Sequence, residues 1–168
     1  MVIQRNNYAF IDGQNLYLGI RRLGWRLDFK RFRIYLREKY GVTKAFMFVG
    51  YLSSNKKIYD FLRKAGYLLV FKPIVSYKRN TIKGNCDADL VLYAVDEVKN
   101  YNKALIVSGD GDFYCLAKYL IAKNKLCKVL IPDNGHYSVL LKQISHEGIN
   151  YLVFLNNLRD EFEYKKPA

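Results

Sequence analysis

Tyr8-Ala9-Phe10-Ile11-Asp12-Gly13-Gln14-Asn15-Leu16-Tyr17-Leu18-Gly19-Ile20 carries the strand-to-helix pattern on which the architecture turns. Four uncharged residues run into an acid and a glycine, the length and flanks of a buried strand, and a helix starts at Asn15. The pattern recurs. Residues 44–50, 67–71, 104–107 and 128–131 read as further buried strands, two of them closed by Pro73 and Pro132. Between them, residues 27–40 carry Phe29, Phe32, Tyr35 and Leu36 at helical spacing among arginines, a basic amphipathic helix. A helix capped by Ser54 or Asn55 is expected to turn Ile58, Tyr59, Phe61 and Leu62 inward before Gly66 stops it. Residues 87–98 and 112–123 read as helices, the first burying Leu90, Val91, Ala94, Val95 and Val98, the second Phe113, Leu116, Ala117 and Leu120. Ser138 is expected to cap a helix through Ile144, residues 74–83 read as an extended edge or a loop, and residues 151–154 and 158–164 close the chain. Strands alternating with helices argue an α/β fold with a parallel sheet covered on both faces, and such sheets bind ligands at the carboxyl ends of their strands.

At 168 residues with 51% hydrophobic side chains, the chain is expected to form one domain over residues 1–168. No apolar run is long enough for a membrane span, and polar residues 1–7 lead straight into a strand, unlike a secretory signal. Cys86, Cys115 and Cys127 are odd in number and form no CxxC pair, which points to a reducing, cytoplasmic setting. His136 and His146 lack zinc-ligand spacing to any cysteine and read as surface or turn residues. The net charge of +13 attracts polyanions. Its sources cluster: Arg21, Arg22, Arg26, Lys30, Arg31, Arg33, Arg37 and Lys39 early, then Lys72, Lys78, Arg79 and Lys83. Nucleic acid is the partner this favours over a merely solvated basic surface. Tyr17, Trp25, Tyr51 and Tyr77 interleave with these charges and are candidates for stacking on the bases of single strands.

Against this basic background, acids concentrate in Asp12-Gly13-Gln14-Asn15, in Asp87-Ala88-Asp89 and in Ser108-Gly109-Asp110-Gly111-Asp112. Each opens or follows a regular element, so the topology brings them to one edge. Capping explains Asp87, Asp89 or Asp112 taken singly, whereas Asp12 and Asp110 each follow a strand beside glycine and resist that explanation. Carboxylates packed together repel unless a cation neutralises them, and hard oxygen ligands without thiols select Mg²⁺ or Mn²⁺. Such ions can activate water against a phosphodiester. Asp12, Asp87, Asp110 and Asp112 are therefore the candidate metal and catalytic residues. Asn15, Lys83, Ser108, Lys78 and Arg79 are candidates for substrate contact, Ser108 for holding either a carboxylate or a substrate oxygen. Cys86 reads as a small packing residue. The glycine spacing fits neither a dinucleotide fingerprint nor a P-loop, which excludes an NAD enzyme or a P-loop ATPase.

Phe10-Ile-Asp-Gly-Gln-Asn15, Lys83-Gly-Asn-Cys-Asp87 and Val107-Ser-Gly-Asp-Gly-Asp-Phe113 together resemble the signature of the NYN domain family, the LabA-like branch of the PIN-like nucleases, in order and approximate spacing across residues 8–155. The resemblance implies a Rossmann-like three-layer sandwich with a central, mainly parallel sheet and an acidic pocket for Mg²⁺ or Mn²⁺. It also implies cleavage of single-stranded or structured RNA, internally rather than from an end, and, by analogy of fold, a homodimer. Asp12, Asn15, Asp87, Asp110 and Asp112 fall on the family's polar positions, while Ser145-His146 stands where the family usually carries a further acid. The leading expectation is a metal-dependent ribonuclease acting through metal-activated water. The alternative is a PIN-like module that binds RNA or a protein without cutting. A small-molecule phosphatase is weaker, because Gly13-Gln14 stands where an Asp-x-Asp pair is required.

Overall fold

The computed structural model describes residues 5–72, 75–77, 81–83, 87–144 and 148–166, with only the backbone for residues 75–77 and 81–83. Asn7–Asp12 forms β1, buried at every position. Because its alternate side chains face opposite ways, Tyr8 and Phe10 enter one apolar cluster while Ala9 and Ile11 enter another. A strand buried on both faces belongs at the centre of a three-layer sandwich, and β1 lies there. It pairs in parallel with β2 (Val42–Gly50) on one side and with β6 (Ala104–Val107) on the other. β3 (Tyr67–Lys72) extends the sheet beyond β2, and β7 (Leu126–Ile131) and β8 (Leu152–Phe154) extend it beyond β6. The order is β3-β2-β1-β6-β7-β8, with every pairing parallel.

That order reverses between β1 and β6. Parallel crossovers share one hand, so helices from the two halves must cover opposite faces. Residues of α1 (Gly13–Arg22), α2 (Phe29–Tyr40), α3 (Lys56–Lys64) and α6 (Arg159–Phe162) join the cluster of Ala9 and Ile11. Residues of α4 (Asp87–Asp96), α5 (Tyr114–Ala122) and the 3₁₀ segment Val139–Ile144 join that of Tyr8 and Phe10. The crevice outside the carboxyl ends of β1 and β6 is the switch point where such folds place ligands. No helix among the described residues is long and apolar enough to cross a membrane.

Several local expectations are corrected. Residues 74–83 contain a separate antiparallel ribbon of β4 (Val75–Tyr77) and β5 (Thr81–Lys83). Neither Ser54 nor Asn55 caps α3; a 3₁₀ turn at Ser53–Asn55 leads into it without a side-chain cap. Only Tyr59 and Leu62 of α3 are buried, and Ile58 and Phe61 are exposed. The chain turns away after Gly66, which adopts a left-handed φ of 94°. Ser138 does cap, accepting from the Leu140 N–H at 3.3 Å, but the helix it opens is 3₁₀ rather than α. Trp25 is 5% exposed and packs in the core, so it cannot stack on a base, whereas Tyr17 and Tyr51 are exposed. The early basic cluster is not all free charge. Arg33 donates to the carbonyls of Val42, Thr43 and Gly66, tying α2 to the starts of β2 and β3.

Candidate functional site

In the β1–β6 register Ile11 pairs with Val107, so Asp12 and Ser108 leave neighbouring strands side by side. Asp12, only 7% exposed, caps α1: its Oδ1 accepts from the Asn15 N–H at 3.0 Å. Its Oδ2 accepts from Ser108 Oγ at 3.2 Å, and that hydroxyl in turn accepts the Asp110 N–H at 3.1 Å. Asp110 Oδ1 accepts the Asp112 N–H at 3.0 Å and caps the 3₁₀ turn Gly111–Phe113 that leads into α5. The expectation that Asp12 and Asp110 resist capping is thereby corrected. Asp12 and Asp110 are the caps, because both helical elements begin immediately at the glycine after the acid.

The loop after β6 is pinned from two more directions. Asn15 Oδ1 accepts the Gly109 N–H at 2.9 Å, and the Ser138 N–H donates to the Gly109 carbonyl at 2.9 Å. A methyl group on Gly111 would run into Ser138, so glycine there permits the close approach. This frame holds Asp110 and Asp112 beside Asp87, the first residue of α4. Carboxylate oxygens of Asp87, Asp110 and Asp112 lie within 4.8 Å of one another. Asp12 sits beneath them, outside that group, with both oxygens hydrogen-bonded. The donor set is all carboxylate, which fits Mg²⁺ or Mn²⁺ and fits no soft metal.

The crowding has an electrostatic signature. Burial and then the charges of Asp12, Asp110 and Asp112 push the Asp87 carboxyl up to about 6, with Lys72 pulling weakly the other way. Burial also raises Asp12, against the lowering effect of the Asn15 and Ser108 hydrogen bonds. Lys72 pairs with Asp89 at 3.5 Å, which places Asp89 in an ion pair and outside the acidic trio.

Ser108 therefore holds a carboxylate. Wholly buried, it is not a surface for substrate. Asn15 lines the cavity beside the trio, its carbonyl engaged with Gly109. Lys78 and Arg79 lie outside the described residues, as do Cys86, Ser145 and His146 and the side chains of Lys83 and Tyr77. The sequence reading missed His136. It does sit in a turn, yet it lines the same cavity of about 500 Å³ as Asn15, Asp110 and Asp112. Its Nδ1 lies 2.9 Å from Oδ2 of Asp133, an acid only 3% exposed that also accepts from Arg22 Nε at 3.2 Å and from the Gly135 N–H at 2.9 Å. Burial pushes the Asp133 carboxyl up, but the bonds from Gly135, Arg22 and His136 outweigh it and hold it below the usual carboxylate range. The available signal was position: Asp133 follows β7 at the edge already occupied by Asp12 and Asp110.

Comparison with known proteins agrees with this architecture. A solved protein of unknown function from Vibrio parahaemolyticus superposes with a TM-score of 0.76 at 22% identity, covering 98% of this chain and 99% of its own. The low amplitude and bright protein LabA of Synechococcus elongatus is 24% identical over 164 residues, 92% of this chain and 86% of its own length. The NYN domain profile matches residues 8–151, from the start of β1 to the threshold of β8. With its nuclease-like, PIN-type sheet and the acidic trio at the switch point, this chain belongs to the NYN domain family.

Proposed function

We propose that this protein is a divalent-metal-dependent ribonuclease that cuts phosphodiester bonds inside an RNA chain. The supporting observation is the convergence of Asp87, Asp110 and Asp112 within 4.8 Å on a chain of net charge +13. Binding RNA alone gives no reason to concentrate negative charge where a phosphate must approach. A bound Mg²⁺ or Mn²⁺ would neutralise the carboxylates, lower the pKa of an attacking water and balance charge on the phosphate. Asp87, Asp110 and Asp112 supply its oxygens. Asp12 and Ser108 fix the loop that carries Asp110, and the amide N–H₂ of Asn15, a residue that lines the cavity, donates to a phosphate oxygen in this reading. Basic residues outside the trio draw the polyanion in, and their contribution weakens with salt. We place this activity in the cytoplasm, where Cys115 and Cys127 persist as free thiols.

The test is cleavage of end-labelled single-stranded and hairpin RNA with Mg²⁺ or Mn²⁺, comparing wild type with Asp110→Asn. Asparagine retains the Oδ1 that caps the turn, so the variant is expected to fold and bind RNA yet lose turnover by at least about 10²-fold. Products of internal length identify endonucleolytic action. Equal turnover by the purified variant sinks the reading, and salt-sensitive RNA binding without products from wild type points instead to a non-catalytic binding module.

A further inference from the structure

Cleaving a phosphodiester leaves a ribose oxygen that must acquire a proton, and the acidic trio, assigned to the cation, offers none. The same cavity is also lined by a different kind of group, His136. Asp133 Oδ2 lies 2.9 Å from His136 Nδ1, which fixes the ring and leaves Nε2 as the nitrogen to present to a ligand in the cavity that Asp110 and Asp112 also line. The His136 side chain is two-thirds exposed while its partner carboxylate is almost fully buried, the arrangement of an accessible proton carrier on a buried support. Imidazole is the commonest side chain in general acid–base catalysis, and a buried carboxylate on one ring nitrogen holds the other in a defined direction. Arg22 shares Asp133 Oδ2 and anchors the end of α1 to the same turn, so the support is braced from a third element.

We propose that His136 is the proton donor to the leaving ribose oxygen, with Asp133 as its positioning residue; the proposal rests on the nuclease reading. The water oxygen forms the new bond to phosphorus, and the bond from phosphorus to the leaving oxygen breaks with its electron pair on that oxygen. The Nε2 proton moves to the leaving oxygen, the proton of the attacking water passes to solvent, and the ring regains a proton from solvent. The sum is one water added across one phosphodiester. Neither residue holds metal, so the acids keep their role unchanged.

His136→Asn is the informative variant: its amide N–H₂ can replace Nδ1 toward Asp133, while nothing replaces Nε2. Single-turnover rates would be compared on ordinary RNA and on RNA carrying one bridging sulfur at the leaving position, prepared in both 3′ and 5′ forms. Sulfur leaves without needing a proton. The expected result is a loss of about 10²-fold or more on ordinary RNA, recovery to within about threefold of wild type on the sulfur substrate, and unchanged RNA affinity in EDTA. Asp133→Asn should show the same selective recovery after a smaller loss, whereas Asp110→Asn should be slow on both substrates. An equal loss of His136→Asn on both substrates, a loss that tracks RNA affinity, or no loss at all overturns the proposal while leaving the nuclease reading intact. A wild type inactive on both substrates overturns both.

Discussion

Replacing Ser108 with alanine tests whether one hydroxyl holds the acidic edge together. Ser108 is wholly buried; it donates to Asp12 Oδ2 at 3.2 Å and accepts the Asp110 N–H at 3.1 Å. Alanine removes both partners and leaves the space of one hydroxyl, less than a water molecule needs. A hydrogen bond to a charged acceptor contributes about 1.5–3 kcal/mol, and an unpaired N–H costs about 1–3 kcal/mol. The Asp110 amide lies in a partly buried loop, so the lower end applies to it, and the combined loss is about 3 kcal/mol. For a chain of 168 residues that lowers Tm by roughly 6–12 °C. The loss must also depend on pH. Burial already raises the Asp12 carboxyl and the Ser108 bond pulls it down, so without Ser108 it rises further. A carboxyl raised in the folded state takes up a proton there before the unfolded chain does, and stability falls as pH rises through the folded value. The deficit of Ser108→Ala is therefore fully present at pH 7.5 and shrinks toward pH 4. Urea denaturation in EDTA at both pH values measures it. A deficit under about 1 kcal/mol at pH 7.5, or one as large in acid, refutes the assigned role of the hydroxyl.

Asp87, pushed up to about 6 by burial and by its acidic neighbours, destabilises the metal-free fold as pH rises from about 4 through 6. An undiminished displacement would correspond to about 3 kcal/mol; solvent screening of this half-exposed group leaves about 1 kcal/mol, partly offset by its favourable charge at the start of α4. Asp87→Asn should thus raise Tm in EDTA at pH 7.5 by about 2 °C, give no gain at pH 4, and reduce the stabilisation by added Mg²⁺ or Mn²⁺; a lower Tm at pH 7.5 would contradict the crowding argument. Tyr51 is exposed beyond the carboxyl end of β2, with its ring stacked near Tyr59 at 5.9 Å. If it carries a base, Tyr51→Ala weakens single-stranded RNA binding by about 1–2 kcal/mol, roughly 5–30-fold, with duplex binding unchanged. Equal weakening for duplex RNA would show that stacking is not its role.

Much of the site was legible in the amino-acid sequence. A short apolar run closed by an acid and glycine specifies a strand and its direction, and parallel strands all end on one edge. That is why Asp87, Asp110 and Asp112 meet at one edge, where Asp12 also ends its strand but stays outside the trio. Helical spacing correctly picked Phe113, Leu116, Ala117 and Leu120 for the core, all buried. It failed for Ile58 and Phe61, where period alone cannot tell which side of the apolar stripe the sheet will cover. Trp25 misled for a related reason: arginines beside an aromatic in sequence say nothing about where the ring points.

Other features depended on partners far along the chain. Ser108 and Asp12 are 96 residues apart, so neither residue's neighbours reveal that the serine would hold the acid instead of substrate. Arg33 looked like one more phosphate-seeking cation until β2 and β3 supplied the carbonyls that occupy it. His136 looked like an idle turn residue until Asp133 fixed its ring beside the acids. The elements, their direction and the edge where charge gathers were readable from the amino-acid order, because those depend on local composition and period. The tertiary structure alone decided strand order, which acids share a point, and which polar side chains support the site and which face it, because these depend on contacts between segments whose separation no local pattern encodes.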